Sequence, residues 1–288
     1  MVDKVNNKQG NPLQKYFRQP KSYLKLPSRG RFWPPGSLEL PENGEVAIYP
    51  MTAKDELLFK TPDALMNGQA TVDVIQSCVP AIKSTWSMPV LDLDAILLAI
   101  RMATYGDKLD VKINYPNTNI QKDFTLDIRT LLSDISTADY DDTFEYKNFT
   151  VKISPINYRQ LSESSLRTFE EQRIFNVIND NKLEDQQKVD MFQASIKKLT
   201  DLTIQLVANS VVSITVDDST VSEYKYIFEF LEKTEKDFYK AILTHVQSQR
   251  DKFSIKPLKI NSTAEDIKAG APVSFEVPVT FDQSNFFA

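Results

Sequence analysis

The chain has 288 residues, of which 41% are hydrophobic and 25% are charged, proportions typical of a folded globular protein and not of a disordered or membrane-embedded one. Its longest apolar run, residues 95–100, is far too short to span a bilayer, and the polar opening residues do not predict a signal peptide. The single cysteine, Cys78, excludes an internal disulfide. We therefore expect a protein that folds in a reducing cytoplasm, away from membranes.

Charge is distributed unevenly along the chain. Residues 1–31 contain eight Lys or Arg and one acidic residue, a net charge of +7, so the other residues carry −12 of the overall −5. This asymmetry predicts a cationic arm that binds an acidic surface, although a solvated terminus would have the same composition. We expect residues 1–26 to be a flexible basic arm, with Lys21 and Lys25 among its contacts, whose removal spares folding.

The next segment, residues 27–153, predicts a mixed module of short helices and β-hairpins. Thr52 with Asp55 has the spacing of a helix capping box. The apolar spacing after Asp92 predicts a helix that stops at Gly106. Alternating strands then follow on either side of a Pro-Asn turn.

Residues 154–252 contain almost no Gly or Pro and predict an antiparallel helical bundle. Thr220 with Glu223 and Thr234 with Asp237 predict two of its helix starts. A spacing of three and four residues predicts the seam of a packed helix pair or coiled coil. The seam residues are Val189, Phe192, Ile196, Leu199, Thr203 and Leu206.

Residues 253–288 predict a C-terminal β segment that packs back on the α+β module. Pro272 and Pro278 predict an edge strand, which we expect beside the early β elements. A repeated Lys-Ile-Asn, at 112–114 and 259–261, predicts two similar hairpins. Phe286 and Phe287 are expected to insert into a groove of this chain or of a neighbouring protein. The fold class is therefore α+β.

Residues with catalytic or metal-binding potential are sparse. His245 is the one histidine, without a second histidine or a cysteine close in sequence, so we expect no metal site. Cys78 follows apolar residues and is expected to be buried and inert. Asp92 and Asp94 lie two residues apart at a predicted helix start, so their side chains point to different faces of the helix. Acidic side chains at this position interact favourably with the positive end of the helix dipole, which explains them without catalysis. The sequence therefore predicts no enzyme, no catalytic residue and no cofactor.

The stretch from Leu26 to Leu40, LPSRGRFWPPGSLEL, contains Pro, Gly, Arg and aromatic residues that exclude a helix interior or a central strand. Arg29, Arg31, Phe32 and Trp33 are candidate partner contacts, because arginine and large aromatic side chains dominate protein interfaces. The alternative is that both aromatic side chains fill the core of the chain itself while both arginines remain solvated.

Five ordered motifs between residues 28 and 107 resemble the baseplate hub protein family of T4-like contractile-tailed bacteriophages. They lie at Ser28–Gly36, Pro50–Glu56, Leu65–Gly68, Ser77–Pro80 and Arg101–Asp107, and the closing FDQSNFF is also similar to that family. Relatives in that family often have a Cys-Pro-x-Cys knuckle where this chain has Tyr115–Thr118, so no metal staple is expected there. Trp33 stands where that family more often has Tyr.

The resemblance implies a structural or assembly protein of the tail baseplate, in its hub region, with other baseplate and tail proteins as partners. It implies assembly in the host cytoplasm and a location in the virion. A non-structural chaperone of hub assembly, absent from the mature particle, is equally compatible with the sequence. A nucleic-acid-binding arm, in which Tyr16, Phe17 and Tyr23 stack on bases, is a further alternative that the acidic body disfavours.

Overall fold

The computed structural model describes residues 11, 13–60, 68–178 and 184–279, without the side chains of residues 174–178 and 185. Helices and short antiparallel strands alternate along the chain, which confirms the predicted α+β class. In chain order, the described elements are β1 (Ser22–Lys25), β2 (Glu45–Ile48), α1 (Ala53–Phe59), α2 (Gln69–Cys78), α3 (Leu93–Tyr105), β3 (Lys108–Asn114), β4 (Gln121–Asp127), α4 (Ile128–Ser136), β5 (Thr143–Tyr146), β6 (Phe149–Ile153), α5 (Tyr158–Ile178), α6 (Asp185–Ser210), β7 (Val211–Val216), β8 (Ser219–Val221), α7 (Tyr224–Lys233), α8 (Lys236–Asp251), β9 (Leu258–Asn261), α9 (Ala264–Lys268) and β10 (Ser274–Val277).

The core of the molecule is built around α3. Eight of its thirteen residues are buried, including every residue from Ala95 to Arg101, so this helix is apolar over most of its circumference and is enclosed by its neighbours. α2 contributes Val74 and Ile75, which have no exposed surface. Leu24 and Leu26, in and after β1, belong to the same core cluster, so the basic N-terminal segment enters the core.

The strand β1 corrects the prediction that residues up to 26 form a flexible arm. It pairs antiparallel with β2, with Leu24 opposite Val46. The composition of this segment, with many lysines and few apolar residues, predicted a solvated arm. Leu24 and Leu26 nevertheless point inward, while Lys21 and Lys25 point outward. The prediction for residues 1–10 and 12 lies outside the described residues.

The helical segment also differs from its prediction. β7 and β8 form a hairpin between α6 and α7, and β7 pairs with β6, so that a four-stranded sheet joins residues 143–153 to residues 211–221. Thr220 lies within β8 and Thr234 is the C-cap of α7. The N-caps of α7 and α8 are Glu223 and Glu235, so neither threonine starts a helix as predicted. A β-branched run at Val211–Val216 favours a strand over a helix. The proposed segment boundaries stay a prediction.

The C-terminal hairpin pairs β9 with β10, so β10 forms no backbone ladder with an early strand. The hairpin packs against the β3–β4 hairpin through side chains instead. The Tyr115 and Phe275 rings lie 4.9 Å apart, and the Lys122 ammonium lies 2.7 Å from an Asp266 carboxylate oxygen. The prediction of two similar hairpins is confirmed. Phe286 and Phe287 lie outside the described residues.

A partly buried arginine, Arg18, fixes the N-terminal segment to two helices. Its guanidinium donates to the carbonyl of Pro50, to the Ser77 carbonyl and hydroxyl at 2.6 and 2.7 Å, and to the Asp55 carboxylate at 3.3 Å. Asp55 also completes the predicted capping box with Thr52 at the start of α1. Arg18 therefore binds the start of α1 and the end of α2 together.

We predict that Arg18→Ala lowers the free energy of unfolding by about 2–3 kcal/mol, because it leaves the buried Asp55 carboxylate and the Ser77 carbonyl without their charged donor. Arg29→Ala is the matched control, because Arg29 is an exposed arginine of the same segment. Its loss should stay within about 0.5 kcal/mol. Chemical denaturation of both variants measures the difference, and equal losses would contradict the anchoring role of Arg18.

Candidate partner-binding site

The turn from Ser28 to Gly36 depends on backbone conformations that few residues adopt. Gly30 and Gly36 have φ of 78° and 77°, and two non-glycine residues, Arg29 and Phe32, have φ of 54° and 67°. A Cβ at Gly30 would lie 3.0 Å from the end of the partly exposed Leu40 side chain, a tight contact, and the positive φ is the main reason for a glycine here. Strained residues of this kind persist only where surrounding contacts hold them.

Asp92 provides those contacts from the start of α3. This carboxylate is fully buried and accepts three hydrogen bonds, from the Ser28 amide at 2.7 Å, the Ser28 hydroxyl at 2.6 Å and the Trp33 indole N–H at 2.8 Å. Burial raises the pKa of Asp92 to about 6, and the bonds from Ser28 and Trp33 act in the opposite direction. Asp92 therefore holds the first residue of the turn and Trp33, five residues later, at one point.

The two aromatic side chains of the turn pack inward. The Phe32 ring contacts the edge of Tyr140 at 5.2 Å between ring centroids, and Tyr140 lies 6.1 Å from Phe253. Trp33 packs against the same core cluster. The alternative in which both rings fill the core of the chain itself therefore describes their position in this structure.

The two arginines of the turn point outward. Arg31 lies 3.2 Å from a carboxylate oxygen of Asp142 and above the Phe32 ring, with 48% of its side chain exposed. Arg29 is exposed, and within the described part of the chain its guanidinium makes no hydrogen bond or ion pair. The Arg29 guanidinium is therefore available to an acidic group of another molecule. Arg31 would have to leave Asp142 before it could bind such a group.

Further exposed aromatic and basic side chains occur between residue 16 and this turn. Lys21, Tyr23 and Lys25 alternate with inward residues and share the outer face of β1, where Tyr23 is 61% exposed. Tyr16 and Phe17 are 74% and 55% exposed. We call these five residues the basic aromatic strip. Large exposed aromatic groups beside cations are typical of a binding surface.

Asp94 performs a second anchoring role that the sequence did not reveal. Its carboxylate accepts a hydrogen bond from the Ile255 amide at 3.0 Å and lies on the wall of a cavity of about 250 Å³. Burial raises the pKa of Asp94. The rest of the cavity wall is mainly apolar and comes from α3, α6 and α8, with Arg250 at its side. Asp94 thus holds the chain where it returns from the helical segment.

The remaining motifs also bind one another. The Met51 amide donates to the Thr104 hydroxyl at 2.9 Å, and the Tyr105 hydroxyl donates to Glu56 at 3.0 Å, so the Pro50–Glu56 and Arg101–Asp107 motifs meet. Arg101, 5% exposed, donates to backbone carbonyls that follow α3. These residues are used to hold the fold together.

The Cys78 sulfur lies 3.7 Å from the Arg18 guanidinium, and His245 lies beside an aromatic ring. Cys78 is buried at the end of α2, and burial raises the pKa of its thiol to about 12. His245 lies 5.1 Å from the Phe144 ring, and its Nε2 atom is buried. In the described ranges, no three His, Cys, Asp or Glu residues are grouped as metal ligands would be. None of the helices described is long and apolar enough to cross a membrane.

The comparison with protein families identifies the chain. A family model described as T4 bacteriophage base plate protein matches residues 36–288, which is most of the chain. The chain therefore belongs to this family and is a phage baseplate protein. The match begins at Gly36, so the basic aromatic strip and all but the last residue of the Ser28–Gly36 turn precede it. Comparisons with curated proteins and with solved structures found no match.

We predict that Trp33→Phe lowers the free energy of unfolding by about 1–3 kcal/mol at neutral pH, because it removes one donor from a buried carboxylate. This donor lowers the pKa of Asp92, so it stabilises the ionised form. The loss should therefore grow as the pH rises through the pKa of about 6, and it should be smaller near pH 4.5, where the carboxyl is protonated.

Trp86→Phe is the matched control for this change. Trp86 stacks on Tyr158 at 5.6 Å, and among the described residues its indole N–H donates no hydrogen bond. Denaturation of both variants at the two pH values separates the loss of ring area from the loss of the donor. Equal and pH-independent losses would refute the assignment of Asp92 as the anchor of the turn.

Proposed function

We propose that this baseplate protein is a structural subunit of the hub region of a contractile tail and that it acts through protein–protein contacts. The observation that carries the proposal is the division of its polar groups. The polar residues of the motifs bind one another inside the fold, whereas the basic aromatic strip and Arg29 face outward. Groups that the fold does not use are the ones available to a partner.

The chemistry of this surface specifies the partner. Lys21 and Lys25 stand on either side of Tyr23 in sequence and are exposed as it is, and exposed Arg29 follows in the next turn. The Tyr23 ring can pack on a neighbour while the cations meet carboxylates. We therefore propose that the partner is another baseplate protein with an acidic surface. Phe32 and Trp33 support this surface from below by fixing the turn, and Arg31 borders it.

We also propose that the protein is not an enzyme and needs no cofactor. Asp92 and Asp94 have raised pKa values, which is a feature of catalytic carboxylates. Each, however, already accepts a backbone amide within the fold, and Asp92 has no exposed surface through which a substrate could reach it. Both carboxylates therefore support a structural role.

We predict that Lys21→Glu with Lys25→Glu reduces incorporation of the protein into baseplates at least tenfold at about 0.1 M salt, because like charges then face an acidic partner. Lys112→Glu with Lys152→Glu is the control, since these are also exposed strand lysines. Lys25 lies opposite Glu45 in its ladder, as Lys112 lies opposite Asp123, so both pairs create similar local repulsion. Equal incorporation of both double variants would refute this surface.

The same variants separate a protein partner from a nucleic acid. Tyr16, Phe17 and Tyr23 beside cations could also stack on bases. If the partner is a protein, retention of purified chain on single-stranded DNA at physiological salt should be weak and equal for both double variants. Tight binding that the Lys21 and Lys25 changes abolish would favour the nucleic-acid function instead.

Purified tails distinguish a structural subunit from an assembly chaperone. A subunit of the hub remains in the particle, so we expect quantitative mass spectrometry of purified tails to find this polypeptide at a fixed ratio to the other baseplate proteins. Its presence in assembling baseplates together with its absence from finished tails would favour the chaperone alternative.

A further inference from the structure

The Ser28–Gly36 turn contains an arginine in a backbone conformation that arginine seldom adopts. The Arg31 amide donates to the Ser28 carbonyl at 2.9 Å, and the two residues between them, Arg29 and Gly30, have φ of 54° and 78°. Positive φ at both central residues is the pattern of a type I′ turn, in which the first central residue is usually Asn, Asp or Gly. Arginine at this position is therefore more strained than asparagine would be.

Three other described residues with positive φ have an explanation within the chain. Asn117 and Asp217 are of the residue types that tolerate this conformation. Phe32, with φ of 67°, has a ring that packs inward against Tyr140. In these places the conformation is either little strained or offset by contacts inside the fold.

Lys147 is an exposed cation in a similar backbone conformation to Arg29, with φ of 53° against 54°. The Lys147 ammonium pairs with Glu235 at 3.4 Å and lies over the Tyr146 ring. The Arg29 guanidinium has no such partner among the described residues. Contacts inside the described fold therefore do not account for an arginine at position 29.

The turn presents Arg29 on a rigid support. The Ser28 hydroxyl, next to Arg29 in sequence, donates to buried Asp92 at 2.6 Å, and the Trp33 indole donates to the same carboxylate at 2.8 Å. Exposed prolines at positions 34 and 35 restrict the backbone further. Because the turn is ordered before binding, a partner that contacts it loses less conformational entropy than it would at a flexible loop.

We infer that Arg29 is the residue through which this surface selects its partner, and that its guanidinium binds a carboxylate of a neighbouring baseplate protein. A guanidinium holds its N–H donors in a planar fork that matches a carboxylate, whereas an ammonium binds as a point charge. Leu40, 37% exposed, lies against Gly30 beside Arg29. The partner that fits this tip is therefore an Asp or Glu next to an apolar side chain.

Substitution of Arg29 by asparagine separates stability from binding. Arg29→Asn should raise the thermal unfolding midpoint of the full chain by about 1–2 °C, because asparagine adopts the turn conformation with less strain. The same change should lower incorporation into baseplates roughly fivefold or more in competition with the unaltered chain, because the guanidinium is lost. A lower midpoint, or unchanged incorporation, would overturn the inference.

Two further variants act as controls. Lys147→Asn removes an exposed cation of nearly the same φ and should leave incorporation unchanged. Arg29→Lys keeps the charge without the fork, so it should recover only part of the incorporation that Arg29→Asn loses. An equal loss in the Lys147 variant, or full recovery with lysine at position 29, would refute the forked contact with a carboxylate.

This inference rests on the proposed function, because it names the residue and the chemical group through which the same surface binds. The two can fail separately. If the Lys21 and Lys25 double variant loses incorporation and Arg29→Asn does not, the basic aromatic strip stands and the role of Arg29 is wrong. If Arg29→Asn instead abolishes tight binding to single-stranded DNA, Arg29 binds a phosphate and the inference is overturned.

Discussion

The two carboxylates at the start of α3 are the constraint on which the rest of the structure depends. Asp92 binds the turn through which the chain enters, and Asp94 binds the segment through which it returns from α8. They are two residues apart on a helix, so they point in different directions and reach both segments. α3 itself is the buried centre of the molecule. Segments far apart in sequence are thus attached to one helix end.

The energetic logic is that a buried carboxylate is costly unless donors surround it. Burial raises the pKa of both groups, which shows that the folded chain disfavours their ionised forms. Once the fold buries these groups, removing a single donor is penalised more than an ordinary surface hydrogen bond would be. The strained turn and the segment that follows α8 are therefore held in place, because releasing either one would take a hydrogen-bond donor away from Asp92 or Asp94. Arg18 acts in the same way on Asp55.

This arrangement explains why the recognisable motifs are not where a partner would bind. Four polar side chains of these motifs form hydrogen bonds within the fold, those of Ser28, Asp55, Ser77 and Arg101. A motif of this kind marks a family because the fold requires it. The surface that we propose to be functional, the basic aromatic strip with Arg29, is instead made of exposed side chains.

Local patterns predicted much of the architecture from the sequence. The Thr52–Asp55 capping box, the periodicity of α3 and the two Lys-Ile-Asn hairpins each depend on neighbouring residues, and all three are present. The misses concern long-range partners. Arg18 resembles any cation of a basic arm until Asp55 and Ser77 are seen beside it.

The α6 seam shows the same limit from the other direction. Its spacing identified a line of apolar residues correctly but could not say which helix they face. The β7–β8 hairpin was missed because β-branched residues also occur in helices, and only pairing with β6 selects the strand. Sequence reasoning therefore succeeded where the interaction was local and failed where it depended on the position of a distant element.

Hydrogen exchange of two backbone amides tests the role of the α3 carboxylates most directly. The Ser28 and Ile255 amides lie outside regular helices and strands, where amides usually exchange quickly. Because each donates to a partly or fully buried carboxylate, both should exchange as slowly as the core amides of α3 in native-state exchange experiments. Exchange of both amides at the rate of exposed loops would contradict the claim that Asp92 and Asp94 hold the chain together.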